Sequence, residues 1–139
     1  MLDTVSINYM AVLVAALSNF AVGFIWYGPL LGKPWMNMVG LTEEQMNSMQ
    51  GAMMAKIFGL SFVGALVMAF IMAHWVGIVD AITWMEGLES GFWAWLGFVA
   101  PPFLMNNLYE RKPLALWGIN AGYWLVSLLI MGVLFALWT

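Results

Sequence analysis

Cysteine is absent, histidine occurs once, and charge is scarce: 139 residues carry four Lys or Arg and seven Asp or Glu. Without a thiol the chain forms no disulfide and does no thiolate chemistry, and its redox compartment stays open. Four basic residues make no basic patch, so nucleic acid is not an expected partner. The single histidine, His74, has no other good ligand beside it and builds no metal site. Methionines are plentiful, but with no cysteine and one distant histidine they read as flexible apolar filling rather than a copper site. A water-soluble domain of this length needs roughly a quarter of its residues charged, whereas here the charged share is 8%. The patterns of catalysis are missing too: no HExxH, no nucleophile elbow, no phosphate loop. No ionisable residue lies mid-membrane, which argues against a pump built on a buried carboxylate. Neither an enzyme, a cofactor nor a metal is expected. A cleavable signal is not expected either, since Asp3 stands where a basic leader would begin.

What is present is oil. Hydrophobic residues make up 64% of the chain, including nine Trp and nine Phe. Mean hydropathy is +0.90. Lipid is therefore the solvent expected around much of the chain, and it takes about 20 apolar residues to cross the hydrocarbon as a helix. Four stretches qualify, at about 7–31, 53–76, 88–108 and 114–138. The expected fold is an all-α membrane protein, one domain over 1–139 with four transmembrane helices. Lys33 and Lys56 flank the first connection, and Arg111 and Lys112 lie in the third. Asp3, Asp80, Glu86 and Glu89 fall on the opposite connections. Basic residues collect on the cytoplasmic side of a membrane, so both termini are expected outside (N-out/C-out).

The first cytoplasmic loop carries local order. In "LTEEQM" Thr42 and Gln45 have capping-box spacing, with Leu41 and Met46 placed for a hydrophobic staple. A short interfacial helix should start there. Upstream, "WYGPLLGKPW" reads as a span ending and bending along the membrane surface. Within the spans, small residues recur at four-residue steps: Ala11, Ala15, Asn19 and Gly23; Ser61, Ala65, Ala69 and Ala73; and the pair Gly118 and Gly122. Such ridges let helices approach closely, within one chain or between copies, and a homo-oligomer, a dimer first, is the expected assembly.

Three features invite a functional reading, each beside a structural one. Asn19 lies mid-span, where its amide needs partners; it is interhelical glue or a substrate contact. Pro101 and Pro102 cannot donate to the carbonyls of Gly97 and Phe98; the kink exposes acceptors of the kind transporters use, or simply packs. Asn106, Asn107, Asn120 and Tyr123, with Glu110 and Arg111 just outside, gather near the cytoplasmic ends of spans three and four. They form a candidate polar or ligand cluster, or an amide and ion-pair network that locks a hairpin.

"FIWYGPLLGKPW", then "GLTEEQ", then "WLGFVAPPFLMNNLYERKPLALWGINAGYWLVSLLIMG" together resemble the small bacterial membrane family known as domain of unknown function 1761, over nearly the whole chain. Trp26, Tyr27, Gly32, Lys33, Trp35, Asn106, Glu110, Asn120, Gly122 and Tyr123 fall on motifs that recur in that family. The resemblance implies four spans and a multi-pass place in the bacterial inner (plasma) membrane. It brings no activity, substrate or catalytic residue. Two functions are weighed on the residues: binding or passage of a small polar or ionic solute near the third-span kink, and a structural or accessory subunit docking another membrane complex. A continuous polar path from Asn19 through the kink to Asn120 would favour the first. A sealed bundle with small-residue faces turned outward would favour the second.

Overall fold

The computed structural model describes residues 2–138, which are helical throughout apart from short connections. A single 3-10 turn at Leu2–Thr4 precedes α1 (Tyr9–Ile25), which runs on as a π-helical turn, Trp26–Leu30. Then come α2 (Gly32–Val39), α3 (Glu43–Ser48), α4 (Ala52–Ile78), α5 (Trp84–Phe98), α6 (Ala100–Tyr109) and α7 (Leu114–Leu137). Local chemistry sets many of these ends. Asn8 caps α1 by accepting the N–H groups of Met10 and Ala11. The expected capping box forms between Thr42 and Gln45, and Thr83 and Glu86 build a second one at the start of α5. Each box satisfies two backbone N–H groups that a helix start leaves without partners.

Three helices are long and apolar enough to cross a membrane: Tyr9–Leu30, Ala52–Ile78 and Leu114–Leu137. The stretch expected as one span over 88–108 is divided between α5 and α6, which have 15 and 10 residues. They meet at Val99, whose φ of −115° is far from the regular helical value of about −63°. Pro101 and Pro102 cause the division. They sit in the first turn of α6, where a missing N–H costs nothing, and cannot continue the ladder of α5.

Side-chain contacts fix the levels of the antiparallel helices. At one end Val5 packs on Gly77. Towards the other, Phe20 and Phe24 stack on Phe58, at 6.4 and 5.9 Å between ring centres. The first and last described residues, Leu2 and Trp138, thus share an end with Asp3, Asp80, Glu86 and Glu89, and the four basic residues share the opposite one. The two are called the acidic and basic ends below.

α7 is the central rod, in contact with α1, α4, α5, α6 and α2. Its tightest crossing is with α5. A Cβ added to Gly87 would lie 2.5 Å from the carbonyl oxygen of Gly132, and one added to Gly91 would run into the carbonyl of Leu128. The close-approach pair is therefore Gly87 and Gly91, in "GLESG", set against Gly132. Gly118 faces open space, and Gly122 lies under the Trp26 ring, 3.0 Å from where its Cβ would be. The alanine ridges serve the same end: Ala11, Ala15, Ala69 and Ala73 are buried in a core with Leu128, Met131 and Phe135, and Ala65 is buried as well, while Ser61 is exposed.

Indoles tie the rods together. Trp95 Nε1 donates to the Ala121 carbonyl at 2.7 Å, Trp26 Nε1 to Ile119 at 2.8 Å, and Trp117 Nε1 to Ala100 at 3.0 Å. A helical carbonyl has a second lone pair free for such a donor. Trp117→Phe keeps most of the ring but strips the donor beside the proline break. It should cost about 1 kcal/mol in reversible unfolding in mixed micelles; an unchanged stability would show that this bond holds nothing.

Candidate functional site

The polar groups inside the bundle collect along the α1–α7 interface, from mid-helix towards the basic end. Asn19 is 3% exposed and donates its Nδ2 to Ser127 Oγ at 3.1 Å. The Asn19 backbone carbonyl accepts the Tyr123 hydroxyl at 3.1 Å. One turn nearer the basic end, the Tyr27 hydroxyl donates to Asn120 Oδ1 at 2.7 Å. The Tyr27 ring stands between Tyr123 and Trp35, each 5.3 Å away between ring centres. Both edge-on arrangements suit the ring quadrupoles.

The backbone of α1 is shaped to this end. Pro29 has no N–H for the Ile25 carbonyl, so the ladder widens, and the Leu31 N–H closes on the Trp26 carbonyl at 2.9 Å. Gly32 follows because a Cβ there would lie 2.5 Å from the Tyr27 carbonyl oxygen. The widened turn presents Trp26 and Tyr27 together to Ile119 and Asn120 of α7. Gly23 completes the fit, since a Cβ on it would stand 3.3 Å from the Tyr123 hydroxyl.

Of the sequence-selected residues, Asn19, Asn120 and Tyr123 come together here. Asn107 is buried but turned to the hairpin, donating Nδ2 to the carbonyls of Lys112 and Pro113 at 3.2 and 3.0 Å. Asn106, Glu110 and Arg111 are exposed and apart from the network. No ion pair joins Glu110 to Arg111 among the described residues; Arg111, at φ 56°, instead closes the end of α6. Gly97, Phe98, Pro101 and Pro102 lie on the exposed outside of the bundle. His74 is buried, with Nδ1 2.8 Å from the Phe70 carbonyl one turn earlier. Among the described residues no three His, Cys, Asp or Glu side chains gather as a metal site would need. Trp26 and Tyr27 join them, known from the sequence only as interfacial aromatics on recurring family motifs, and Ser127 is a member that the sequence did not single out. Ser127 had a signal, as it follows Asn120 by seven residues and Tyr123 by four, the spacing of one helix face.

Chemically the interface is amides, phenols and one hydroxyl, with no nucleophile–base pair. Among the described residues every buried side-chain nitrogen or oxygen has a hydrogen-bond partner. A closed network of this kind positions helices, because each group would be costly to strand in hydrocarbon.

Fold and interface together define an all-helical protein with three membrane-length helices pinned by a buried polar and indole network. The chain matches the family model described as "Protein of unknown function (DUF1761)" over residues 10–136 and belongs to that family. No curated protein and no solved structure matches it.

Proposed function

We propose that this chain is a non-catalytic, four-span protein of the bacterial inner membrane that acts as an accessory subunit, docking another membrane protein through the basic-end half of α4. α5 and α6 together supply the fourth crossing in this reading. With the basic end in the cytoplasm, both termini lie outside. The whole chain then acts as one domain.

The observation that carries the docking role is the asymmetry of α4. Its second half is packed, with Ala65, Ala69, Met72, Ala73 and Val76 buried. In its first half, from Ala52 to Gly64, every residue except Met54 and Phe62 is exposed. Ala55 and Gly59 stand four residues apart on that bare half, and a Cβ on Gly59 would meet nothing within 4 Å. Small residues at this spacing are what a second helix in lipid packs against. Solute passage at the helix break draws less support, because Gly97, Phe98, Pro101 and Pro102 face outward rather than onto a shared interior. The Asn19–Asn120 network likewise spends its buried groups on one another.

The chain has no cysteine, so a single Gly59→Cys variant reports one site. Cross-linking in native membranes should give a discrete adduct from position 59 and none from Val67→Cys, on the lipid side of the packed half. An adduct of twice the chain mass would identify the partner as a second copy, giving the dimer. Absence of any adduct at 59, or equal adducts at both positions, would defeat the proposal.

A further inference from the structure

At the acidic end, the segment before α1, the last turn of α4 and the last turn of α7 enclose a cleft of about 290 Å³. Phe135 and Trp138 give it aromatic surface, Val76 and Ala81 apolar wall, Thr4, Ser6 and Asn8 a polar edge, and among the described residues Asp80 is the one charged residue that lines it.

Asp80 is held against several preferences at once. Its φ is 55°, in the left-handed region. Its N–H reaches the Gly77 carbonyl at 3.2 Å and the next N–H, of Ala81, reaches Val76 at 3.1 Å. That is the paired closure in which glycine usually takes the left-handed place. A carboxylate there also faces the negative end of the α4 dipole. α6 ends in the same way on Arg111, at φ 56°, but with the charge that a helix end favours. Among the described residues no Lys or Arg at the acidic end compensates Asp80: all four lie at the other end, and Asp3, Glu86 and Glu89 share its own. A strained, uncompensated residue at the rim of a cleft points from geometry to function.

The surroundings select the ligand class. An anion is repelled. A divalent metal ion is held by several oxygen ligands, carboxylates among them; beside the single carboxylate the cleft offers the hydroxyls of Thr4 and Ser6 and the Asn8 amide, whose oxygen already caps α1. An organic ammonium ion satisfies both halves of the site, charge against carboxylate and methyl groups against aromatic faces. The volume, at the lower limit for ligand clefts, restricts it to a few carbons.

We propose that this cleft binds a small organic ammonium ion, with its charge on Asp80 and its apolar body against Phe135 and Trp138. The site is at the opposite end from the docking half of α4 and stands independently of it.

Calorimetric titration of the full-length chain in mild detergent with choline should show saturable binding. The uncharged isostere, with carbon in place of nitrogen, should not compete. Asp80→Asn should weaken binding by about tenfold or more, the loss of a charge partner. Asp80→Gly should weaken it as much while raising Tm, because glycine accepts the left-handed turn; this separates loss of the ligand from loss of the fold. Trp138→Leu should weaken binding with Tm nearly unchanged. No saturable binding to the natural chain, affinity in either Asp80 variant equal to that of the natural chain, or equal competition by the isostere would each overturn the proposal.

Discussion

Gly91→Leu should separate α5 from α7 and cost about 3 kcal/mol or more. The estimate is high because the obstacle is backbone. A Cβ at Gly91 meets the carbonyl of Leu128, and Gly132 of α7 is closed in by the carbonyl of Gly87. Flexible side chains can move aside, but a carbonyl can move only with its helix. Even Gly91→Ala should cost about 1–3 kcal/mol. Gly118→Ala provides the control: its Cβ would meet nothing within 4 Å, so it should be neutral or gain about 0.5–1 kcal/mol from a stiffer unfolded chain. Reversible unfolding in mixed micelles measures all three. If Gly91→Leu were as stable as Gly118→Ala, the α5–α7 crossing described above would be wrong. The consequence extends beyond stability. In lipid, helices gain little from burying apolar surface against each other, so a lost close approach is not replaced by hydrophobic contact elsewhere.

Tyr123→Ala should have the second large effect, about 3–5 kcal/mol, as for other buried aromatic rings reduced to a methyl group. The ring faces Tyr27 and Trp124, at 5.3 and 4.8 Å between ring centres, and packs over Gly23. Its removal frees Tyr27 and opens the interface where Asn19 is buried. Tyr123→Phe isolates the hydroxyl, which donates to the Asn19 carbonyl, and should cost only about 1 kcal/mol. The ratio between the variants is the test. Equal losses would mean that the hydrogen bond, not ring packing, holds α1 to α7. Cross-linking at position 59 should survive in Tyr123→Phe, since that hydroxyl bonds α1 and a Cβ at position 59 meets nothing of the bundle.

Most of the helix plan was legible because its causes are local. Long apolar runs marked Tyr9–Leu30, Ala52–Ile78 and Leu114–Leu137. Thr42 and Gln45 are three residues apart, so their capping box needs nothing distant. Pro101 and Pro102 announced a break, although not that the expected span would part into two helices at Val99. The close crossing was harder to see. "GLESG" carries Glu89 inside and Glu86 just before it, so it reads as the wet edge of a span rather than a packing face. Tyr27 reads as an interfacial aromatic, and only the π turn that contains it brings its hydroxyl to Asn120. The grouping of Asn106, Glu110 and Arg111 with Asn120 rested on nearness in the chain. A helix sends neighbouring residues to different faces, and these three point away.

Composition and order alone determined that this chain is helical, that its helices are apolar enough for a membrane, and that its basic residues collect at one end. Those properties follow from apolar run length and from the alternation of short connections, both of which act within a few turns. Tertiary structure alone decided which glycines touch, which indoles find a carbonyl, which half of α4 stays bare, and that Asp80 lines one cleft with Phe135 and Trp138. Each of those depends on how helices distant in sequence are rotated and spaced, and small differences in rotation decide whether two backbones meet or two side chains keep them apart.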